Sequence, residues 1–508
     1  MQRRLAGLVK EWNVRGWCAI VAAILLSVAA GCPDKAATGP ARLSFAGQDI
    51  TVAVPGGSGF PTAWELPIQE WSAQTNAHCT IREYDPAIAL ASPEKLIADG
   101  DDLVLLPLNR LGDIMGLDAG SGISTLAEVP ETMRSESNLN WLDLFQGLRE
   151  QVASRGKRPL VLPIAAPVLV VYFREDLLKQ ANLSPPRTWA EYDQLVNSLD
   201  RWAPGLTVVE PWSESFRATM FLARAAPLVK HPSQYSLFWD IETGTPLIDT
   251  PGFAKALDAS RLAIKKMPPD VLTHVPADCR CEILAGRAAL AIGYEAGPRA
   301  SGVVFCPTGE SASSAKVDRT PSMQIGFCRL PGTTEAFHLS NKRWESIPGG
   351  DVNFVSLTGF GGMCAAVLAH SAPAERDSAW HLLRTLAGGD LSTVLPAGTR
   401  TPCRESHVGL PANWTGDELQ DAERYKYLNA VSQTLRDTRL VTEMPVPGHA
   451  EFREALRDGV TSVLSGMAEP EPALKSVATR WQTIAKRRGG AWKIRDAYRA
   501  SLGLSPKE

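Results

Sequence analysis

"RPLVLPIAAPVLVVYFREDLLKQANLSPPRTWAEYDQLVNSLDRW" (residues 158–202) changes its character several times along its length. From Leu160 to Phe173 it is apolar and rich in valine and leucine, with none of the polar interruptions of a surface helix, and it predicts an extended segment. "REDLLKQ" then predicts a short helix. Pro185-Pro186 breaks the chain, and Thr188 with Glu191 three residues later has the pattern of a capping box opening a further helix. An extended segment feeding helices in this way points to an α/β architecture.

The same alternation runs toward the N-terminus. Asp49 to Pro55 ("DITVAVP") has strand composition, "GGSGF" breaks it, and Ala63 to Asn76 carries apolar residues at helical spacing. "CTIREYD" predicts the next strand, Pro93 to Ala98 a helix, and "DDLVLLPLNRL" a third strand ending in a loop. Strand, helix, strand, helix, strand predicts a largely parallel sheet covered by helices on both faces. Ligands of such sheets gather outside the carboxyl ends of the strands.

Ahead of this alternation, Arg3, Arg4, Lys10 and Arg15 precede an apolar run from Trp17 to Ala30, the charge and hydropathy order of an export signal. The run is shorter than the ~20 residues that span a bilayer comfortably. Val28-Ala29-Ala30-Gly31-Cys32 resembles a bacterial lipobox, with a signal peptide over 1–31, lipid on Cys32, and 32–48 as a tether. Ordinary cleavage near Ala30, with Cys32 a bystander, and retention as an anchor are the other readings of the same residues.

The remainder of the 508 residues is too long for one ordinary core and fits two or three domain-sized units. A formal net charge of −3 with no long basic run gives nucleic acid no footprint. Export would put Cys79, Cys279, Cys281, Cys306, Cys328, Cys364 and Cys403 in an oxidising space, and their odd number leaves a thiol over. Cys279 and Cys281 stand too close to favour one another, as half of one or two bridges or as reduced thiols, and lack zinc-ligand spacing.

Within the opening stretch, Pro163-Ile164-Ala165, Tyr172, Arg174, Asp176-Leu177, Pro186, Thr188-Trp189 and Glu191 form an ordered set. It resembles the extracytoplasmic solute-binding proteins of the sugar-binding, maltose-binding type. "TPLIDTPGFAKALD", "ILAGRAALAIGYEAG", "QIGFCRLPG", residues 354–388 and the C-terminal "MPVPGHAEFREALRDG" region are similar to successive segments of that family, so the resemblance runs from Asp49 to Arg488. The cysteine content and the insertion-like stretch 306–324 depart from it.

The resemblance implies a two-lobed α/β fold of the type II periplasmic-binding-protein class, each lobe a mostly parallel sheet flanked by helices. One lobe comprises 49–161 with 360–440, the other 162–359 with 441–490. Crossings fall near Leu162 to Pro167 and Phe354 to Gly359, with a third return near Val441 to Pro447. It further implies a monomer that closes over a small molecule, most often a sugar or oligosaccharide, and hands it to an ABC permease on the extracytoplasmic side of a membrane, held there by its lipid. No cofactor or metal is implied.

Aromatic faces and planar polar groups at strand ends are what a sugar needs. Ser58 and Trp64 follow the first strand, and Asn109 with Arg110 the third. Glu210 and Trp212 lie in "VVEPWSESF", Tyr294 and Glu295 in "IGYEAG", and Phe360 in "TGFGG". Each has a plainer reading: a core tryptophan, a solvated or capping carboxylate, a turn or hinge. Trp71, Trp189, Trp202, Trp380 and Trp481, at helical spacing with other apolar residues, are expected in the core. Only Arg110 and Arg404 stand where they could meet an anionic ligand, which favours a neutral one. No H-E-x-x-H, G-x-S-x-G or P-loop is present, so hydrolase and nucleotide chemistry has no motif to rest on. A glycosidase needs only two carboxylates, and a sensor would keep the same lobes; both remain alternatives to transport.

Overall fold

The computed structural model describes residues 44–91, 95–116, 125–135, 139–298, 322–388, 394–396 and 398–507. The expected leader, Cys32 and most of the expected tether lie outside the described residues, as does most of the stretch 306–324. Among the described residues, no helix is long and apolar enough to cross a membrane.

Two sheets carry the architecture. The first has five strands in the order His78–Tyr84, Asp49–Pro55, Leu103–Pro107, Met363–Val367 and Leu162–Ala165. Its three N-terminal strands are parallel, as their alternation with helices predicts, and Met363–Val367 runs against its neighbours. Leu103 to Leu106 are all buried, the mark of a central strand covered on both faces. The second sheet, in the order Ile325–Arg329, Val170–Arg174, Ala288–Gly293 and Thr207–Val209, is mixed: Val170–Arg174 is antiparallel to both neighbours and only Thr207–Val209 pairs in parallel. In each sheet one strand runs against the others, Met363–Val367 in the first and Val170–Arg174 in the second, so most strands of both share a direction as expected.

Local signals set the elements. Glu191 N–H donates to Thr188 Oγ1 at 3.1 Å and Thr188 N–H donates to Glu191 Oε2 at 3.0 Å, the reciprocal capping box that opens Trp189–Asn197. A helix lies at Pro86–Ala91, where proline enters the first turn and Asp85 Oδ1 accepts from Ala87 N–H at 2.8 Å, while the start of the helix expected over Pro93 to Ala98 lies outside the described residues.

The lobe boundaries differ from the expected ones in three places. Leu162–Ala165 pairs with Met363–Val367 in the first sheet, so the first crossing falls after Ala165, around Pro167. The helix Asp421–Leu435, assigned above to the first lobe, packs on the second sheet: Ile325 N–H donates to Glu423 at 2.8 Å, and Tyr427 sits against Phe327 with ring centroids 5.5 Å apart. Its last turn reaches back, because the carbonyls of Leu435 and Asp437 crowd Gly147, where a Cβ would lie 2.6 Å from each. The C-terminal lobe also continues past 490, since Tyr498 on Ala491–Ser501 accepts from Leu237 N–H at 2.8 Å and joins Trp239, Trp481 and Phe452 in one aromatic core. The second crossing and the third return lie side by side: Leu357–Thr358 pairs in parallel with Val441–Thr442.

The five tryptophans expected in the core, Trp71, Trp189, Trp202, Trp380 and Trp481, are all buried. Cys281 is disulfide-bonded, whereas Cys79, Cys279, Cys328, Cys364 and Cys403 are free.

Candidate functional site

The strand ends of the second sheet decide which expected residues can meet a ligand. Thr207–Val209 delivers Glu210 and Trp212, and both are fully enclosed at 0 % exposure. Arg224, on the helix Arg217–Val229, clasps Glu210 through Nη2 at 2.5 Å and Nε at 3.1 Å, and the Trp212 indole N–H donates to Glu210 Oε2 at 3.0 Å. The guanidinium lies 4.3 Å from the Trp189 ring centroid and 5.5 Å from that of Tyr192. Burial pulls its affinity for protons down, but Glu210 and Asp193 outweigh burial and hold it above the ordinary arginine value. This is a neutralised, hydrogen-bonded knot of the interior. The expected roles of Glu210 as a ligand carboxylate and Trp212 as a stacking floor are corrected accordingly: neither presents a free face.

Glu295, at the end of Ala288–Gly293, is spent in the same manner. Its Oε1 accepts from the Tyr172 hydroxyl at 2.9 Å and from Arg280 Nε at 2.7 Å, and its Oε2 accepts from Gly416 N–H at 3.0 Å. Arg280 also donates to Glu418 at 2.8 Å, and the two carboxylates outweigh burial in keeping it charged. Burial and the Glu295 carboxylate together push the Tyr172 hydroxyl well above its usual value. Glu295 is therefore a positioning residue for the chain around it. Trp64 is corrected as well: the helix Phe60–Thr75 turns it inward to 0 % exposure, edge-on to Phe60 at 5.1 Å.

What remains accessible forms a different group. Tyr294 and Phe360 are half-buried, with centroids 6.2 Å apart, and Phe360 meets the half-buried Phe216 edge-on at 5.4 Å. These three rings come from three separate segments. Tyr294 follows the strand Ala288–Gly293, Phe216 precedes the helix Arg217–Val229, and Phe360 lies in the turn after the second crossing. That turn is fixed by its glycines. Gly362, at φ +87°, has no room for a Cβ, which would fall 2.1 Å from the Ala165 carbonyl oxygen, so the turn nests against the first crossing. Phe216 lies inside the quoted "VVEPWSESF", four residues past Trp212, where the tryptophan is the more conspicuous platform in the sequence.

From the first lobe, Asn109 and Ser58 are half-buried. Leu108 N–H donates to the Gly362 carbonyl at 3.2 Å, which sets the Asn109 loop beside the Phe360 turn. Ser58 Oγ donates to the Pro55 carbonyl at 2.5 Å and so closes its own turn. On either side of residue 397 the chain meets a different lobe: Pro396 packs on Gly59, and Arg400 N–H donates to the Ala296 carbonyl at 3.2 Å. Beside Tyr294 a small polar pocket of about 230 Å³ is lined by Arg280, Glu295, Gly297, Gly416 and Glu418. Arg110 is engaged by Asp113 at 2.9 Å, and Arg404 by the carbonyls of Leu139 and Ala387 at 2.8 and 2.9 Å. The two cations open to an anionic ligand in the sequence are thus tied into structure.

No protein-family model matches the chain, and no curated protein matches it. Solved structures do. The sugar-binding protein MalE of the phytopathogen Xanthomonas citri aligns over 87 % of this chain and 98 % of its own, at TM-score 0.63 and 19 % identity. A solute-binding protein of an ABC transporter from Agrobacterium radiobacter K84, in complex with ribitol, aligns over 87 % and 100 % at TM-score 0.57 and 18 % identity. The maltose-bound MalE3 of T. maritima aligns over 86 % and 99 % at 0.55 and 17 %. The fold is that of the two-lobed, maltose-binding type.

Proposed function

We propose that the protein is a solute-binding protein that captures a neutral polyhydroxylated ligand, a sugar, oligosaccharide or polyol, by closing its lobes over Phe216, Tyr294 and Phe360. The observation that carries this reading is the set of three half-buried rings gathered where the second crossing meets the second lobe. Rings in edge contact offer faces and edges at different angles, which suits the C–H surface of a sugar, while Asn109 and Ser58 supply amide and hydroxyl groups from the other lobe. The engagement of Arg110 and Arg404 supports a neutral ligand. The ligands in the fold relatives, ribitol and maltose, are of this class. The chemistry is capture without bond-making, and closure would flex the chain at the crossings around Pro167, Gly359 and Val441 while each sheet stays rigid.

In this reading the leader is removed, Cys32 carries lipid, and the protein works from an extracytoplasmic membrane surface as a monomer that delivers its ligand to an ABC permease. The test is a thermal-shift screen against sugars and polyols, with Phe360→Ala and Phe216→Ala as controls. A true ligand at a hundred times its Kd adds about 2.7 kcal/mol of stability. A panel with no stabilising member, or a shift that both variants retain in full, would overturn the proposal.

A further inference from the structure

A larger cavity lies elsewhere. About 790 Å³ opens between the first lobe at Gly112, Met115 and Leu160, the third return at Pro445 and Pro447, and the C-terminal helices at Ile494 and Ala497. None of the aromatic trio lines it. Its walls are mainly apolar, with Trp492 at the rim, 55 % exposed. Its volume is in the range that holds small organic ligands.

One charged group in its wall has no counter-charge. Arg155 is 8 % exposed, and its Nη1 faces only carbonyl oxygens, those of Ser154 at 2.9 Å, Val152 at 3.3 Å and Gln151 at 3.4 Å. Its Nη2 is buried without a hydrogen-bond partner, and no carboxylate among the described residues pairs with it. Burial lowers the guanidinium only to about 10, so it stays cationic at neutral pH. A buried cation left unpaired is costly. The other charges of the lining do not serve: Glu451 is held by Arg487 and Arg488, and Asp496 by Arg495. Of the lining's other cations, Arg158 pairs with Glu128 at 3.1 Å, and Lys493 lies 5.6 Å from the Trp492 ring centroid. The hairpin bearing Arg155 is anchored, since Gly156 N–H donates to the Ala500 carbonyl at 2.8 Å.

We propose that this cavity is a second ligand site, distinct from the aromatic one, for an amphiphilic carboxylate whose headgroup pairs with Arg155 and whose apolar body lies along Met115, Ala497 and Trp492. Because the walls come from both lobes and the return between them, an occupant touches every part that moves on closure.

The test is calorimetric titration of the full chain with decanoate, below its micelle concentration, beside decanol and acetate, which keep only the chain or only the headgroup. Decanoate is expected to bind saturably at one site, with decanol and acetate at least about tenfold weaker. Arg155→Gln should weaken decanoate about tenfold or more, and Ala497→Trp, which fills the cavity without touching the arginine, should do the same. Should Arg155→Gln fail to fold, Ala497→Trp and Lys493→Gln decide the matter. Non-saturable binding, equal affinity for decanol, or decanoate binding untouched in the folded variants would overturn the site.

Discussion

Two places in the second lobe put an aromatic ring beside a strand end, and they are built in opposite ways. At Glu210 and Trp212 the ring and carboxylate are fully enclosed, and every polar atom that could greet a ligand is taken by Arg224 or by its own neighbour. At Tyr294, with Phe216 and Phe360, the rings stay half-buried and touch one another edge-on. The first arrangement is rigid and closed; the second leaves apolar surface for something to cover. A carboxylate next to an aromatic in sequence is therefore no measure of a binding clamp. What decides is whether a distant arginine has already neutralised it.

The largest effects should come from opening the closed arrangement. Trp212→Ala leaves a cavity in a filled interior, at a cost of about 3–5 kcal/mol. Glu210→Gln removes the charge that compensates Arg224, at a cost of similar size. The two should be less than additive, since Trp212 donates to Glu210. Denaturant unfolding measures this, and a Trp212→Ala protein with unchanged stability but lost sugar affinity would reverse the comparison and restore the tryptophan as a platform.

Next in size is the third return. Glu443 is buried, accepting from the Thr219 hydroxyl at 2.7 Å and from Arg453 Nε at 3.0 Å, with His449 at 3.8 Å. Burial alone would raise its carboxyl, yet Arg453, His449 and Thr219 outweigh that and bring it down to about 2. A depressed carboxylate binds protons more weakly folded than unfolded. Its stabilisation is complete above about pH 4.5 and is lost as pH falls toward 2, on the order of 3 kcal/mol in all. Glu443→Gln should lower stability at neutral pH by about that amount and flatten the acid limb in the same window. An acid limb identical to wild type would show that Glu443 gives no such anchorage.

How far the sequence could be read follows the same division between local and distant contacts. The capping box at Thr188 and Glu191 and the three parallel strands between Asp49 and Pro107 depend on residues a few positions apart, and the structure has them as expected. The knots do not. Glu210 finds Arg224 across a turn, and Glu295 finds Gly416 across more than a hundred residues. The helix Asp421–Leu435 was misplaced for a related reason: its allegiance is set by Glu423 and Tyr427 reaching the second sheet, which no periodicity reveals. Phe216 and Phe360 stayed illegible as a pair because they are brought together only by the crossing that separates them in the chain.

The open arrangement should respond in affinity more than in stability. Phe360→Ala removes the ring that meets both partners, and it should weaken sugar binding by about 1–3 kcal/mol. Phe360 is only partly buried, so the loss of stability should stay below that of Trp212→Ala. Melting curves with and without ligand separate the two. A stability loss as large as that of Trp212→Ala with affinity intact would make the trio a piece of core.

The smallest effect tests the first lobe's share. Asn109 follows the strand Leu103–Pro107, is half-buried, and sits in a loop held to the Phe360 turn by the Leu108 to Gly362 hydrogen bond. Its backbone is thus fixed by contacts that do not involve its amide group, and Asn109→Ala should change folding stability by no more than about 0.5 kcal/mol. If the lobes close on a sugar, the amide is placed to meet a hydroxyl, and its loss should weaken binding by about 0.5–1.5 kcal/mol, the net worth of one neutral hydrogen bond. The same substitution in a Phe216→Ala background, on the other lobe, sharpens the point. Two groups that face one ligand from opposite lobes act together only in the closed state, so the double variant should show coupling in affinity and none in unfolding. Additive affinities, or an Asn109→Ala protein that binds as wild type does, would confine the site to the second lobe and the crossing.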